Sequence, residues 1–297
     1  MARPQGAAGL PPNAAGALLM MASMAAFTVN DTFVKLAGQT IPLFQLLTLR
    51  GLLATALLLL LARGLGPLRL HVPRRDRVLV ALRCGAEIAA AFFFLSALIV
   101  MPLANVTAIL QVLPLTVTLG AALVFREPVG WRRMLAICIG FAGMLLIVRP
   151  GPDGFTQHSL YALAAVASVT LRDLVTRRMS PGVSSMTVTV LTSAAILIAS
   201  ALASLSIDWQ PVSLREATWI AASAIFIMGG YGFSVMVMRV GDISFIAPFR
   251  YSGLLWALLL GWAVFGDWPD ALTLLGAAIV AGSGLFTLAR EGQVNRR

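Results

Sequence analysis

The sequence predicts an all-α membrane protein of ten transmembrane helices, arranged as two inverted five-helix repeats. Three observations predict it. Hydrophobic residues make up 59% of the 297 and charged residues 11%, with a mean hydropathy of +0.89. Soluble domains are nearer about 45–50% and about 25%. The apolar residues gather in ten runs, each long enough to cross roughly 30 Å of hydrocarbon as a helix. The arginines alternate in number from loop to loop, and a short signature recurs in the second half of the chain.

The runs are 15–36, 42–62, 79–101, 103–124, 131–148, 159–178, 183–205, 218–238, 243–265 and 271–289. Backbone groups in hydrocarbon must be satisfied within the segment, so helices are expected, and the runs lack the alternation of a barrel strand. The first run passes through Asn30, Asp31 and Lys35 with no small-residue cleavage pattern nearby, so it reads as a retained helix and not a removed signal. Pro102 separates the third run from the fourth. Pro114 and Pro248 interrupt the fourth and ninth, and Gly229-Gly230 and Gly232 are expected to soften the eighth. The fifth and tenth carry Ala136-x3-Gly140 and Ala278-x3-Gly282, a spacing that lets helices approach closely and leaves a homodimer open. Trp219 and Trp268 near run ends suit interface anchors.

Loop charges orient the chain. With the N-terminus inside, the inner segments hold Arg3; Arg63, Arg69, Arg74, Arg75 and Arg77; Arg126, Arg132 and Arg133; Arg177 and Arg178; Arg239; and Arg290, Arg296 and Arg297. The outer segments hold Arg149 and Arg215. This positive-inside bias places both termini in the cytoplasm. It also accounts for the net charge of +10 without nucleic acid, because no basic stripe is interleaved with aromatics.

The halves 1–150 and 151–297 match. At an offset of 140, Phe125-Arg126-Glu127 falls on Phe265-Gly266-Asp267; at 142, Asp31-x3-Lys35 falls on Asp173-x3-Arg177. Five spans is an odd number, so the second half enters from the opposite side, the ground plan of alternating-access carriers.

Ten spans in two halves, with Met101-Pro102-Leu103-Ala104, Phe125-Arg126-Glu127-Pro128, Gly140-Phe141-Ala142-Gly143 and Arg149-Pro150-Gly151, resemble the EamA-type branch of the drug/metabolite transporter superfamily. The resemblance covers essentially the whole chain, with Asp267 in place of the usual glutamate. It implies a carrier for a small metabolite in a bacterial-type inner membrane, such as an amino acid, riboflavin or S-adenosylmethionine. It also implies a pocket lined by the middles of the third, fourth, eighth and ninth helices, which by position takes in Gln111, Arg250 and Tyr251.

The residues themselves point to the same region. Intramembrane ionisable groups are costly and mark function. Asp31/Lys35, Arg83/Glu87 and Asp173/Arg177 are i,i+4 pairs on single helices, whereas Arg50 and Arg250 have no acid within a turn. At about 1.5 Å per residue, Arg250, Glu87 and Asp173 share an inner layer, and Asp31 and Arg50 an outer one. Asp31, Arg50, Glu87 and Asp173 are therefore expected to gate or couple, while Lys35 and Arg83 near span ends are expected to snorkel. Arg250, Tyr251, Gln111, Asn105, Tyr231 and Trp256 are the expected substrate contacts, an arginine beside aromatics suiting a flat heterocycle or a carboxylate.

Other classes fit poorly. His71 and His158 lie in loops, with no HExxH motif, so no catalytic residues and no metal are expected. Cys84 and Cys138 lie in apolar runs and form no metal or disulfide framework. No GxxxxGK[ST] loop implies an ATP site, no cofactor is implied, and no TVGYG-like filter suggests a channel. The expected partners are the lipid bilayer and a small-molecule substrate, weakly favouring a vitamin-like heterocycle such as riboflavin. An amino acid or S-adenosylmethionine is the alternative substrate, and a non-transporting membrane scaffold the alternative class.

Overall fold

In a computed structural model of the protein, residues 11–65, 72–127, 129–149, 156–180, 182–237, 240 and 242–294 are described. Arg3, Arg69, His71, Pro128, Pro150, Gly151, Arg239, Arg296 and Arg297 lie outside the described residues, as do the side chains of Arg63 and Arg290. The described residues form helices α1 (Pro12–Ala37), α2 (Leu43–Leu65), α3 (Arg77–Val100), α4 (Leu103–Leu110), α5 (Leu113–Phe125), α6 (Trp131–Val148), α7 (Gln157–Arg178), α8 (Ser185–Ser204), α9 (Leu214–Val237), α10 (Ile243–Ile246), α11 (Ser252–Phe265) and α12 (Ala271–Val294). Among the described residues nine spans are long and apolar enough to cross a membrane, with α4 and α5 read as one of them, and Ala271–Thr287 is a shorter apolar helix. The protein is a multi-pass helical membrane protein.

The chain passes from one face of the bundle to the other with each span. One face gathers Thr40 on Glu216 (2.5 Å), Gln45 on the Gln210 carbonyl (2.7 Å) and Arg149 on Asp270. The opposite face gathers Ser180 on Asp76 (2.5 Å), Arg177 on Glu127 (2.7 Å) and the Asp242 amide on Asn13 (2.9 Å). We call these the Arg149 face and the Arg177 face.

Two spans are broken, and each break follows from a proline. The Pro114 ring and its missing N–H act on the carbonyl four residues back, Leu110, the residue where α4 stops. A turn at Gln111–Val112 separates α4 from α5. Around Pro248 the ninth span becomes a 3₁₀ turn, Ala247–Tyr251, between α10 and α11. The eighth span corrects the expectation from its glycines, since α9 runs unbroken from Leu214 to Val237. Gly230 is there for proximity. The Ser23 hydroxyl of α1 donates to its carbonyl (2.8 Å), and a Cβ on Gly230 would stand 2.7 Å from the Phe27 ring.

The most extensive pairings are α1 with α9, α3 with α7, α6 with α12, and α2 with α8. The small residues of the fifth and tenth spans divide their roles. Gly140 packs inside the chain, where a Cβ would meet Leu115 and Ser283, whereas nothing lies within 4 Å of one on Gly282. α6 and α12 approach closest at Gly143 and Gly276, each facing the other's carbonyl oxygen.

Candidate functional site

Two cavities share Asp173 of α7, the first lined by both broken spans and the second by unbroken helices. The first, about 230 Å³, is lined by Thr118 and its neighbours on α5, by Glu127, Val129 and Arg133, by Asp173 and Arg177 on α7, by Arg250 and by Thr287. The second, about 280 Å³, is lined by Arg50 on α2, Arg83 and Glu87 on α3, Arg172, Asp173 and Thr176 on α7, Thr189, Thr192 and Ser193 on α8, and Tyr231 on α9. Both reach residues of the Arg177 half of the bundle.

The second cavity is built around Arg172. Its guanidinium bridges Glu87 (3.1 Å) and Asp173 (2.8 Å), so it ties α7 to α3 across the cavity wall. Arg83 lies 4.0 Å from Glu87 and donates to Thr176 (2.9 Å) and Thr192 (2.6 Å). Arg50 donates to Asn30 (3.0 Å), whose amide donates in turn to Asp31 (2.8 Å). The Arg50 Nε is buried without a partner. Three guanidiniums thus face two carboxylates around this space, a balance that favours anionic or neutral ligands over cations.

Arg250 lies on the 3₁₀ turn, and its side chain is exposed to the first cavity. Among the described residues it has no hydrogen bond or ion pair. The neighbouring polar atoms are also underused: the Tyr251 hydroxyl, Ser252 Oγ, Trp256 Nε1 and Asn105 Oδ1 are buried without partners. Tyr251 is buried against α12, where a Cβ on Gly284 would stand 2.5 Å from its Cζ and closer still to its oxygen. Gly284→Ala is therefore expected to push the ring out of place. It should cost about 1–3 kcal/mol, seen as a lower melting temperature in detergent. Tyr251→Phe, which removes the crowded oxygen, should recover part of that loss in the double variant.

The expected site residues divide into three groups. Arg250 and Asp173 line the first cavity; Arg50, Glu87, Asp173 and Tyr231 line the second. Asn105, Gln111, Tyr251 and Trp256 line neither of these two cavities and stand behind them at the breaks. Gln111 is buried, and a Cβ on Gly253 would lie 3.4 Å from its Nε2, so the two breaks meet there. Asp31 reaches the second cavity only through Asn30 and Arg50.

Several expected pairings are corrected. Lys35 does not pair with Asp31 and does not snorkel. It is 5% exposed and donates to the carbonyls of Leu98 (2.9 Å), Ile99 (3.2 Å) and Met101 (2.7 Å) at the end of α3, whose dipole favours a cation. Asp173 pairs with Arg172, and Arg177 with Glu127, instead of with each other. Arg83 likewise turns inward, to hydroxyls on α7 and α8. Arg50, expected in the outer layer, lines the same cavity as Glu87 and Asp173, expected in the inner one. The sequence reading omitted Arg172 and Thr192 from the site. The signal for Arg172 was present, as a basic residue well inside the sixth run.

No group of three or more His, Cys, Asp or Glu able to hold a metal ion lies among the described residues. Outside the spans, Asp270 is held below the usual carboxylate range by the Thr273 backbone amide and by Arg149, a local lock of the Arg149 face.

A family model described as the EamA-like transporter family matches residues 14–149 and again 158–289. A riboflavin transporter of Vibrio cholerae is 31% identical over 200 residues, 66% of each chain. An S-adenosylmethionine uptake transporter of Rickettsia prowazekii is 23% identical over 290 residues, 93% of each chain. A pseudopaline exporter of Pseudomonas aeruginosa is 27% identical over 279 residues, 89% of this chain and 93% of its own. A protein of known crystal structure superposes with a TM-score of 0.63 at 18% identity, over 94% of this chain and 99% of its own, a likeness of fold.

Proposed function

The chain belongs to the EamA-like transporter family, and from that premise we propose that it is a secondary-active carrier for a small organic metabolite, working by alternating access. The substrate we favour is a flat, vitamin-like heterocycle such as riboflavin. The observation that carries this reading is Arg250: an unpaired guanidinium at the break of the ninth span, facing a cavity between broken helices. Discontinuous spans at the repeat interface are where such carriers hold substrate. The excess of guanidinium around the second cavity weighs against a cation such as S-adenosylmethionine.

The halves 1–150 and 151–297 are the two inverted repeats. The helix pairings support this. Exchanging the halves turns α1–α9 into α7–α3 and leaves α2–α8 and α6–α12 unchanged. The Arg177 face carries the arginine-rich segments and is the cytoplasmic side of an inner membrane.

The test is uptake into proteoliposomes from a panel holding riboflavin, aromatic amino acids and S-adenosylmethionine. Saturable uptake of riboflavin is expected. Arg250→Ala removes a charge-assisted hydrogen bond and should raise KM about 10- to 100-fold with the melting temperature unchanged. Absence of saturable uptake across the panel, with or without a proton gradient, or an Arg250→Ala carrier with wild-type KM, would overturn the reading.

A further inference from the structure

The two repeated signatures of the sequence come together in space, across the halves. On the Arg149 face, Lys35 of α1 lies 5.4 Å from the centre of the Phe265 ring at the end of α11, within reach of the charge of Asp267. On the Arg177 face, Arg177 of α7 lies 5.5 Å from the centre of the Phe125 ring at the end of α5 and pairs with Glu127 at 2.7 Å. Lys35 corresponds to Arg177, Phe265 to Phe125, and Asp267 to Glu127. Even the backbone agrees. Arg126 (φ 56°) and Gly266 (φ 71°), the middle residues of the two Phe-x-acid signatures, both take the left-handed conformation that ends the helix.

The two assemblies differ in burial. Lys35 is 5% exposed and also caps the end of α3, with Gln39 Nε2 donating to the Ile99 carbonyl beside it (3.0 Å). Arg177 and Glu127 have side chains 54% and 42% exposed, at the mouth of the first cavity.

We propose that Lys35–Phe265–Asp267 and Arg177–Phe125–Glu127 are equivalent clasps that are buried in turn as opposite faces close, this structure burying the first and leaving the second made but open to water. The proposal rests on the inverted-repeat reading above. When the Arg177 face closes, Arg177 is buried and takes the capping role at the last turn of α9 that Lys35 has at α3. Lys35 then releases α3. An exposed, aromatic-stacked ion pair contributes little and the same pair desolvated more, so removing Arg177 penalises the other state selectively. The population moves toward this structure.

Lys35 is the one lysine in the chain and reports its own clasp. The purified protein in detergent is treated at fixed pH with a water-soluble acetylating ester, and acetylation of the Lys35 peptide is followed by mass spectrometry. Rates are normalised to those of the denatured protein. Arg177→Gln, on the opposite face, is expected to slow Lys35 acetylation about three- to fivefold. Phe125→Leu should also slow it, and it carries the test if Arg177→Gln does not give a monodisperse protein. Phe265→Leu should accelerate it. Unchanged or faster acetylation in Arg177→Gln and Phe125→Leu would overturn the proposal. The readout needs no substrate, so a chain that transports none of the panel leaves this result standing.

Discussion

Gly276→Leu is expected to yield no folded, monodisperse protein, the largest single-residue effect in the molecule. A Cβ built on Gly276 stands 2.6 Å from the Gly143 carbonyl oxygen and 2.8 Å from Ile147, and one on Gly143 stands 2.9 Å from the Gly276 carbonyl. The obstacle is backbone on both sides, which no rotamer change relieves. In lipid, helix association rests on close packing and not on expulsion of water, so separating two backbones removes the main attraction between them. α6 and α12 would part along their length, carrying Ser283 from Gly140 and Gly284 from Tyr251. Gly276→Ala is the graded version. Overpacking by one methyl costs about 1–3 kcal/mol, and the melting temperature should fall by roughly 2–10 °C. Gly282→Leu is the control on the same helix, because nothing lies within 4 Å of its Cβ position. A Gly276→Leu protein that melts with the wild type would refute the close approach.

Arg172→Met is expected to cost about 3 kcal/mol, with loss of transport. Glu87 and Asp173 would be left facing each other in the membrane interior, with Arg83 at 4.0 Å from Glu87 the nearest compensation. Breaking a buried pair by removing one partner costs roughly 3–5 kcal/mol, and the cavity beside these groups places the effect at the lower end. The double variant Arg172→Met/Glu87→Gln should regain most of the stability, since it removes the stranded charge, and should still fail to transport. Detergent unfolding of the single and double variants measures the coupling. Equal stabilities would mean that Arg172 and Glu87 do not act on each other.

The spans were legible because run length and the oxygen-free interior of a bilayer leave a helix few alternatives. The positions of the breaks were nearly legible. Pro114 marks the interruption, but the gap opens at Gln111–Val112, because the ring acts on the carbonyl one turn earlier. The eighth span misled for a different reason. Gly230 reads as softness in sequence, but it provides room for Phe27. Of the three expected i,i+4 pairs, Arg83 with Glu87 formed (4.0 Å); the other charges were legible as a set and not as pairs. The i,i+4 rule treats each helix as alone, and Lys35 instead meets the carbonyls that Pro102 helps to free at the end of α3. The i,i+4 rule also passes over Arg172. Beside Asp173 in sequence it belongs to another helix face, yet its long side chain folds back to Asp173 and spans to Glu87. The aromatic and polar cluster behind the cavities was found by position alone; which members touch a cavity depends on the 3₁₀ turn, which composition does not encode.

The pairing of α1 with α9 also sets a timetable for biosynthesis. From Ala37 to Leu214 the ribosome needs about ten to thirty-five seconds at ordinary elongation rates. Throughout that interval α1, carrying Asn30, Asp31 and Lys35, exists without its main neighbour. Arg50 and the end of α3 arrive early enough to shelter these groups, through Asn30 and through the carbonyls of Leu98, Ile99 and Met101. The contacts that hold these groups in the finished fold thus first serve a half-made chain.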